Sequence, residues 1–240
     1  MEIIRRALGL AGRGGGSAAP RPDTLEGHLG ALLPALAVEC VLDVGANAGQ
    51  YAGMLRRIGF RGHIVSFEPV AASVRELRER AARDGRWTVL PYALGAEEGE
   101  AVIHVARESR LSSVLPINER GARTFPGLSD IVARETVPVR RLDAVLGELP
   151  DGIARGRVFL KTDTQGSDLA VLAGAAGCLE RVEGLQMELS LNPVYRGAPD
   201  FAEALRAIRD AGFQPTGIFP VAPSPARALI DVDCVARRGV

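Results

Sequence analysis

The stretch VLDVGANAG, residues 41–49, ends an apolar run in an acid, Asp43, and follows it with a glycine-rich turn. Gly45 and Gly49 stand in a G-x-x-x-G spacing. Glycines let the backbone approach a ligand closely, and a helix starting behind them offers free N–H groups. The dinucleotide fingerprint G-x-G-x-x-G is absent, so no second glycine is placed for a pyrophosphate. A carboxylate at Asp43 would also repel phosphate, whereas it would suit an ammonium. Glu68 closes the next apolar run and can accept both hydroxyls of a ribose. An acid after each of two successive strands, with glycines between, fits a ligand with an amino-acid end and a nucleoside end. That ligand is S-adenosylmethionine. Asn47 and Tyr51 fall in the same turn and the first helical residues, Phe67 and Pro69 flank Glu68, and Tyr92 and Ala93 are placed to flank an adenine.

A second set of residues could act on an acceptor. Of the 29 Lys and Arg, 28 are Arg, and the single lysine is Lys161, two residues before Asp163. Alternation along a strand puts Phe159, Lys161 and Asp163 on one face. Glu188 lies near the end of the following strand. An alcohol must lose its proton before it takes a methyl group, so a carboxylate or a metal is needed beside it. Asp163 and Glu188 could be that base, or could hold a divalent cation such as magnesium through oxygen ligands; Asp163, at the end of its strand, is also expected to touch the cofactor where the methyl is transferred. Lys161 could belong to the catalytic set, or could neutralise the acids as a buried pair. A buried ammonium must be paired, and Asp163, Asp168 and Glu188 are the candidate partners. His104, Ser112, Ser113 and Gln165 are polar groups able to orient a hydroxylated substrate, although a lone His on an apolar strand is more often structural.

The elements that would hold these residues form a strand–helix rhythm. A helix begins at Thr24, an N-cap candidate, with Leu25, Leu29, Leu32 and Leu36 at helical spacing. Strands are expected over 40–44, 63–67, 87–90, 158–162, 185–189, 213–219 and 229–236. Helices are expected through residue 58, over Val70–Ala81 positions, along Leu169, Leu172, Ala176 and Leu179, and around 200–210. Alternation of this kind makes a mainly parallel sheet covered on both faces. The close spacing of the last two strands suggests an antiparallel hairpin. Residues 96–156 interrupt the rhythm with strand-like pieces only, at 101–106, 112–115 and 136–140, and read as an insertion capping the acceptor site. Residues 1–22 read as an N-terminal segment, a short amphipathic helix over 1–12 and then a Gly, Ser and Pro hinge. Residues 23–240 form a single domain.

Composition narrows the function. Lys+Arg and Asp+Glu are both 29, so the chain is formally neutral, and aromatic residues are only 5%. Neither a phosphate-neutralising surface nor a base-stacking platform follows, which disfavours nucleic acid as a partner. No apolar run is long enough to span a bilayer, and the first ten residues carry Arg5 and Arg6 without an apolar stretch of signal length behind them. A cytoplasmic enzyme without a membrane partner is expected; a homo-oligomer is compatible with this composition. Cys40, Cys178 and Cys234 show no paired spacing and read as buried, reduced thiols.

The chain resembles the FkbM family of S-adenosylmethionine-dependent methyltransferases. The resemblance runs, in order, through DVGANAGQYAGMLRRIGFRGHIVSFEP (43–69), ALG (93–95), VPVRRLDAVL (137–146), KTDTQGSDLAVLAGA (161–175), MELSLNPVY (187–195) and the late GF at 212–213. Where the family usually carries Glu two residues after the QG, this chain has Asp168. The resemblance implies a class I methyltransferase fold and O-methylation of a small molecule, such as a sugar or natural-product hydroxyl. Two other readings compete: a nicotinamide-dependent oxidoreductase on a similar sheet, and a catalytically inactive methyltransferase-like binding module.

Overall fold

The computed structural model describes residues 21, 23–150, 153, 155–223 and 229–239. The helix and hinge expected before residue 23 lie outside these, apart from Arg21. The first described helix, α1 (Leu25–Ala35), starts where Thr24 Oγ1 accepts from the Gly27 N–H at 3.1 Å. It buries Leu29 and Leu33 on one side, against the sheet.

Strands β1 (Cys40–Val44) and β2 (His63–Phe67) are apolar runs of five residues, and α2 (Gln50–Arg57) joins them. Helix α3 (Ala71–Ala81) buries Val74, Leu77 and Ala81 along one face before β3 (Trp87–Leu90). After the insertion come β7 (Val158–Thr162), α6 (Asp168–Gly174), β8 (Val182–Ser190), α7 (Phe201–Asp210), β9 (Phe213–Pro223) and β10 (Leu229–Arg238). They build one seven-stranded sheet in the order β3-β2-β1-β7-β8-β10-β9. Its first five strands are parallel, and β10 runs antiparallel to both neighbours. Strand β1 and its neighbour β7 are buried at every position, as a central parallel strand covered on both faces requires. The chain winds outward from β1 in one direction and from β7 in the other, so the order reverses between them. Crevices for ligands open at the carboxyl ends of strands at such a point.

Two details depart from the sequence reading. The helix expected to run to Leu179 stops at Gly174, and residues 179–181 form a separate 3-10 turn. The insertion is more ordered than strand-like pieces imply. Strands β4 (Ala93–Leu94), β5 (Gly99–Ala106) and β6 (Ile131–Arg140) form a second sheet in the order β4-β6-β5. Helices α4 (Glu119–Thr124) and α5 (Leu142–Glu148) accompany it. Instead of a strand over 112–115, only a single bridge joins Ser113 to His104. Ile103, Val105 and Val137 pack with Val70 at the start of α3, which fastens the small sheet over one end of the large one.

All three cysteines are buried: Cys40 opens β1, Cys178 sits in the turn after α6, and Cys234 lies in β10. No described helix is long and apolar enough to cross a membrane.

Candidate active site

A cavity holding about 680 Å³ of empty space, open mouth included, lies at the carboxyl ends of β1, β2 and β7. The turn after β1 forms its floor. Gly45 has φ +74°, and a Cβ there would stand 1.9 Å from the Asp163 carbonyl oxygen, so only glycine lets the two strand ends touch. Asn47 also adopts a left-handed conformation, at φ +47°, and lines the cavity. Its Nδ2 donates to Ser109 Oγ at 3.0 Å, tying the turn to the insertion.

Glu68 lines the cavity where β2 ends. Its Oε2 accepts from the Asn47 N–H at 2.7 Å and its Oε1 from the Val70 N–H at 2.8 Å. Burial pushes its pKa up to about 7, although those two N–H groups and the Lys161 charge pull it down. Phe67, Pro69 and Ala93 complete the wall on this side. Ser112 and Ser113 close it from the insertion, and Asp163 and Gln165 from the end of β7.

Several expected residues stand elsewhere. Asp43 is fully buried and does not reach the cavity. Its Oδ1 lies 2.9 Å from Lys161 Nζ and its Oδ2 accepts from Ser66 Oγ at 3.3 Å. The ammonium it was expected to meet is therefore the protein's own. Gly49, at φ +84°, packs against Trp87 and Leu77 on the far side of the turn. Tyr51 is directed away from the cavity too; its hydroxyl donates to Gln186 Oε1 at 2.9 Å. Tyr92 lies behind Phe67, ring centroids 5.9 Å apart, and His104 is occupied in the backbone bridge to Ser113. Neither borders the cavity.

Glu188 lines a smaller adjoining cavity with Asp168, Ser190, Tyr195 and Asp231, and Gln165 forms the partition between the two. Gln165 Nε2 donates to Asp163 Oδ1 at 2.7 Å and to Glu188 Oε2 at 3.0 Å. Its Oε1 accepts from the Tyr195 hydroxyl at 2.9 Å. Burial, reinforced by the charges of Asp163 and its neighbours, raises Glu188 well above the usual carboxylate range. The same effects bring Asp231 up to about 6. Asp168 spans a shorter distance than Glu would: its Oδ1 accepts from the Thr164 N–H at 3.0 Å inside the loop. Among the described residues, no three His, Cys, Asp or Glu side chains gather in a way that would hold a metal ion.

Sequence reasoning missed Ser109, Arg110 and Tyr195. Arg110 is the only cationic side chain among the described residues lining the larger cavity. Ser109 and Arg110 reach the site from a 3-10 turn, Ser109–Leu111, and Tyr195 from a loop, and no spacing in the sequence marks them. Thr164 and Ser167, which also line it, were within reach, because they sit in the same loop as Asp163.

A parallel sheet reversed between β1 and β7, an antiparallel final strand pair, and a cavity at the strand ends are the architecture of the class I methyltransferase fold. The family model for the methyltransferase FkbM domain matches residues 43–215, and the chain belongs to that family. It is an S-adenosylmethionine-dependent methyltransferase. No curated protein matches it. Among solved structures it is similar to 1,6-didemethyltoxoflavin-N1-methyltransferase of Burkholderia thailandensis, with 15% identity, a TM-score of 0.48, and 91% of this chain and 80% of that one covered. Magnesium protoporphyrin IX methyltransferase of Synechocystis PCC 6803, with bound S-adenosylmethionine, gives 12%, 0.47, 99% and 90%. Aeropyrum pernix fibrillarin gives 11%, 0.46, 82% and 66%.

Proposed function

We propose that this methyltransferase acts on a hydroxyl oxygen of a small molecule, a sugar or a natural-product intermediate, in the cytoplasm. One observation carries the reading: Gln165 Nε2 holds two carboxylates, Asp163 and Glu188, on a single donor at the wall of the cofactor cavity. A hydroxyl entering the cavity beside Gln165 would find Asp163 as the acceptor for its proton, with Glu188 on the other side of the partition.

S-adenosylmethionine, when bound, supplies an electrophilic methyl group. Glu68 would hold its ribose hydroxyls, with Phe67, Pro69 and Ala93 along the nucleoside, and Asn47 and Gly45 under the chain. Arg110 would face its carboxylate. Asp163, at the lip of β7, takes the proton from the acceptor; Glu188, held well above the usual carboxylate range by burial and the neighbouring carboxylates, stands behind Gln165. Holding acceptor and donor in line supplies much of the remaining rate. Residues 23–240 work as one unit, with Ser112 and Ser113 of the insertion over the acceptor.

The test is incubation of the chain with isotope-labelled S-adenosylmethionine and a panel of hydroxylated metabolites, read by mass spectrometry. The expected product gains one methyl as an ether that survives mild alkali. A labelled ester, N-methyl or C-methyl product would overturn the oxygen assignment. Cofactor binding without transfer to any of the panel would favour the inactive binding module.

A further inference from the structure

Lys161 lies directly beneath the glycine turn, on the side away from the cavity. Its Nζ is 2.9 Å from Asp43 Oδ1, and it donates to the carbonyl oxygens of Gly45 at 3.2 Å and Val44 at 3.4 Å. Asp163 Oδ2 is farther, at 3.9 Å. The other ends of the same two peptide units are also held: the Gly45 and Ala46 N–H groups both donate to the Phe67 carbonyl, at 3.0 and 3.1 Å. A peptide unit is planar, so fixing its C=O on one side and its N–H on the other fixes its orientation. The next N–H along the turn, that of Asn47, is thereby aimed at Glu68 Oε2. Two peptide planes thus connect the ammonium of Lys161 to the end of β2, where Glu68 begins.

We propose that Lys161, anchored by Asp43, is a positioning residue for the cofactor: it sets the peptide planes of the turn and, through them, the carboxylate of Glu68. Asp43 acts on the cofactor only by this route. Lysine suits the place because a compact ammonium can meet a carboxylate and two carbonyls at once, whereas a planar guanidinium is larger and forked. This accounts for the one lysine in a chain that otherwise uses arginine.

The test is calorimetric titration of S-adenosylhomocysteine into the full chain, beside a thermal melt. Lys161→Met alone would leave Asp43 buried and unpaired, and could fail to fold. Removing both charges together, Asp43→Leu with Lys161→Met, often leaves a fold as stable as before. The expected result is a double variant that melts near the native temperature and binds S-adenosylhomocysteine about tenfold more weakly, the loss expected for hydrogen bonds to a charged group. Native affinity in the folded double variant overturns the proposal. If the double variant is unstable, Asp43→Asn decides: it keeps the shape but releases the ammonium toward Asp163. Several-fold weaker binding is then expected from a variant that still melts cooperatively, at a lower temperature, and unchanged binding overturns the proposal.

Discussion

Glu68 is subject to two opposed demands. Burial raises its pKa to about 7, so in the folded chain the protonated form is favoured well above the pH at which an exposed carboxyl ionises. A raised acid contributes stability that is full at low pH and is lost as pH rises through the folded value. Hydroxyls of a ribose, in contrast, donate best to the ionised form. S-adenosylhomocysteine affinity should therefore rise about tenfold between pH 6 and pH 8, as the ionised fraction grows, while the melting temperature drifts down. Glu68→Gln should flatten the affinity profile at its weak end; calorimetry across that range checks it. Asp163→Asn should keep the fold and cofactor affinity and lose turnover by about two to four orders of magnitude, measured under single-turnover conditions. If the acids serve as bases, as proposed, native activity should be indifferent to EDTA. Some of this scale was legible. Glu68 at a strand end does line the cavity, whereas Asp43, expected beside the ligand, is buried against Lys161. Laying CVLDV on VFLKT in parallel register would have put Asp43 beside Lys161, as the paired strands do. Gln165 bridges the acids from a left-handed backbone, φ +57°, which no residue pattern discloses.

At the scale of elements, the insertion and the loop after β7 depend on each other. Ser113 Oγ donates to the Gln165 carbonyl at 2.8 Å and accepts from the Leu115 N–H at 3.0 Å. Ser113→Ala should cost about 1–2 kcal/mol in urea denaturation, because two part-buried backbone groups lose their partner. Turnover should fall more than S-adenosylhomocysteine affinity does, because the loosened loop is the one that carries Gln165. The parallel strands were readable because their apolar runs are short and bounded by Gly, Pro and acids. Helices α4 and α5 were not, being only six and seven residues long. Their signals were present all the same. Asn118 caps α4 through its Oδ1, and Leu142, Val145 and Leu146 give α5 a buried stripe. The small sheet was invisible as a sheet because β4 has two residues and pairs with Val139 and Arg140, more than forty positions along the chain.

At the scale of the whole molecule, the mainly parallel sheet followed from alternation, while the shape of the cavity depends on which irregular segments fold over the strand ends. The buried thiols have a use that catalysis does not touch. Burial pushes Cys40 up to about 12 and both Cys178 and Cys234 up to about 11, so little reactive thiolate forms at neutral pH. A thiol reagent can therefore mark each only when its surroundings open. Because they sit in the first central strand, a turn behind α6 and the antiparallel edge region, they form a three-channel clock of local opening. With excess reagent and mass-spectrometric mapping, Cys178 should be captured first and Cys40 last. Saturating S-adenosylmethionine should slow Cys40 most, since β1 leads directly into the turn proposed to hold the cofactor. Equal slowing of all three would mean that the protein opens only as one unit.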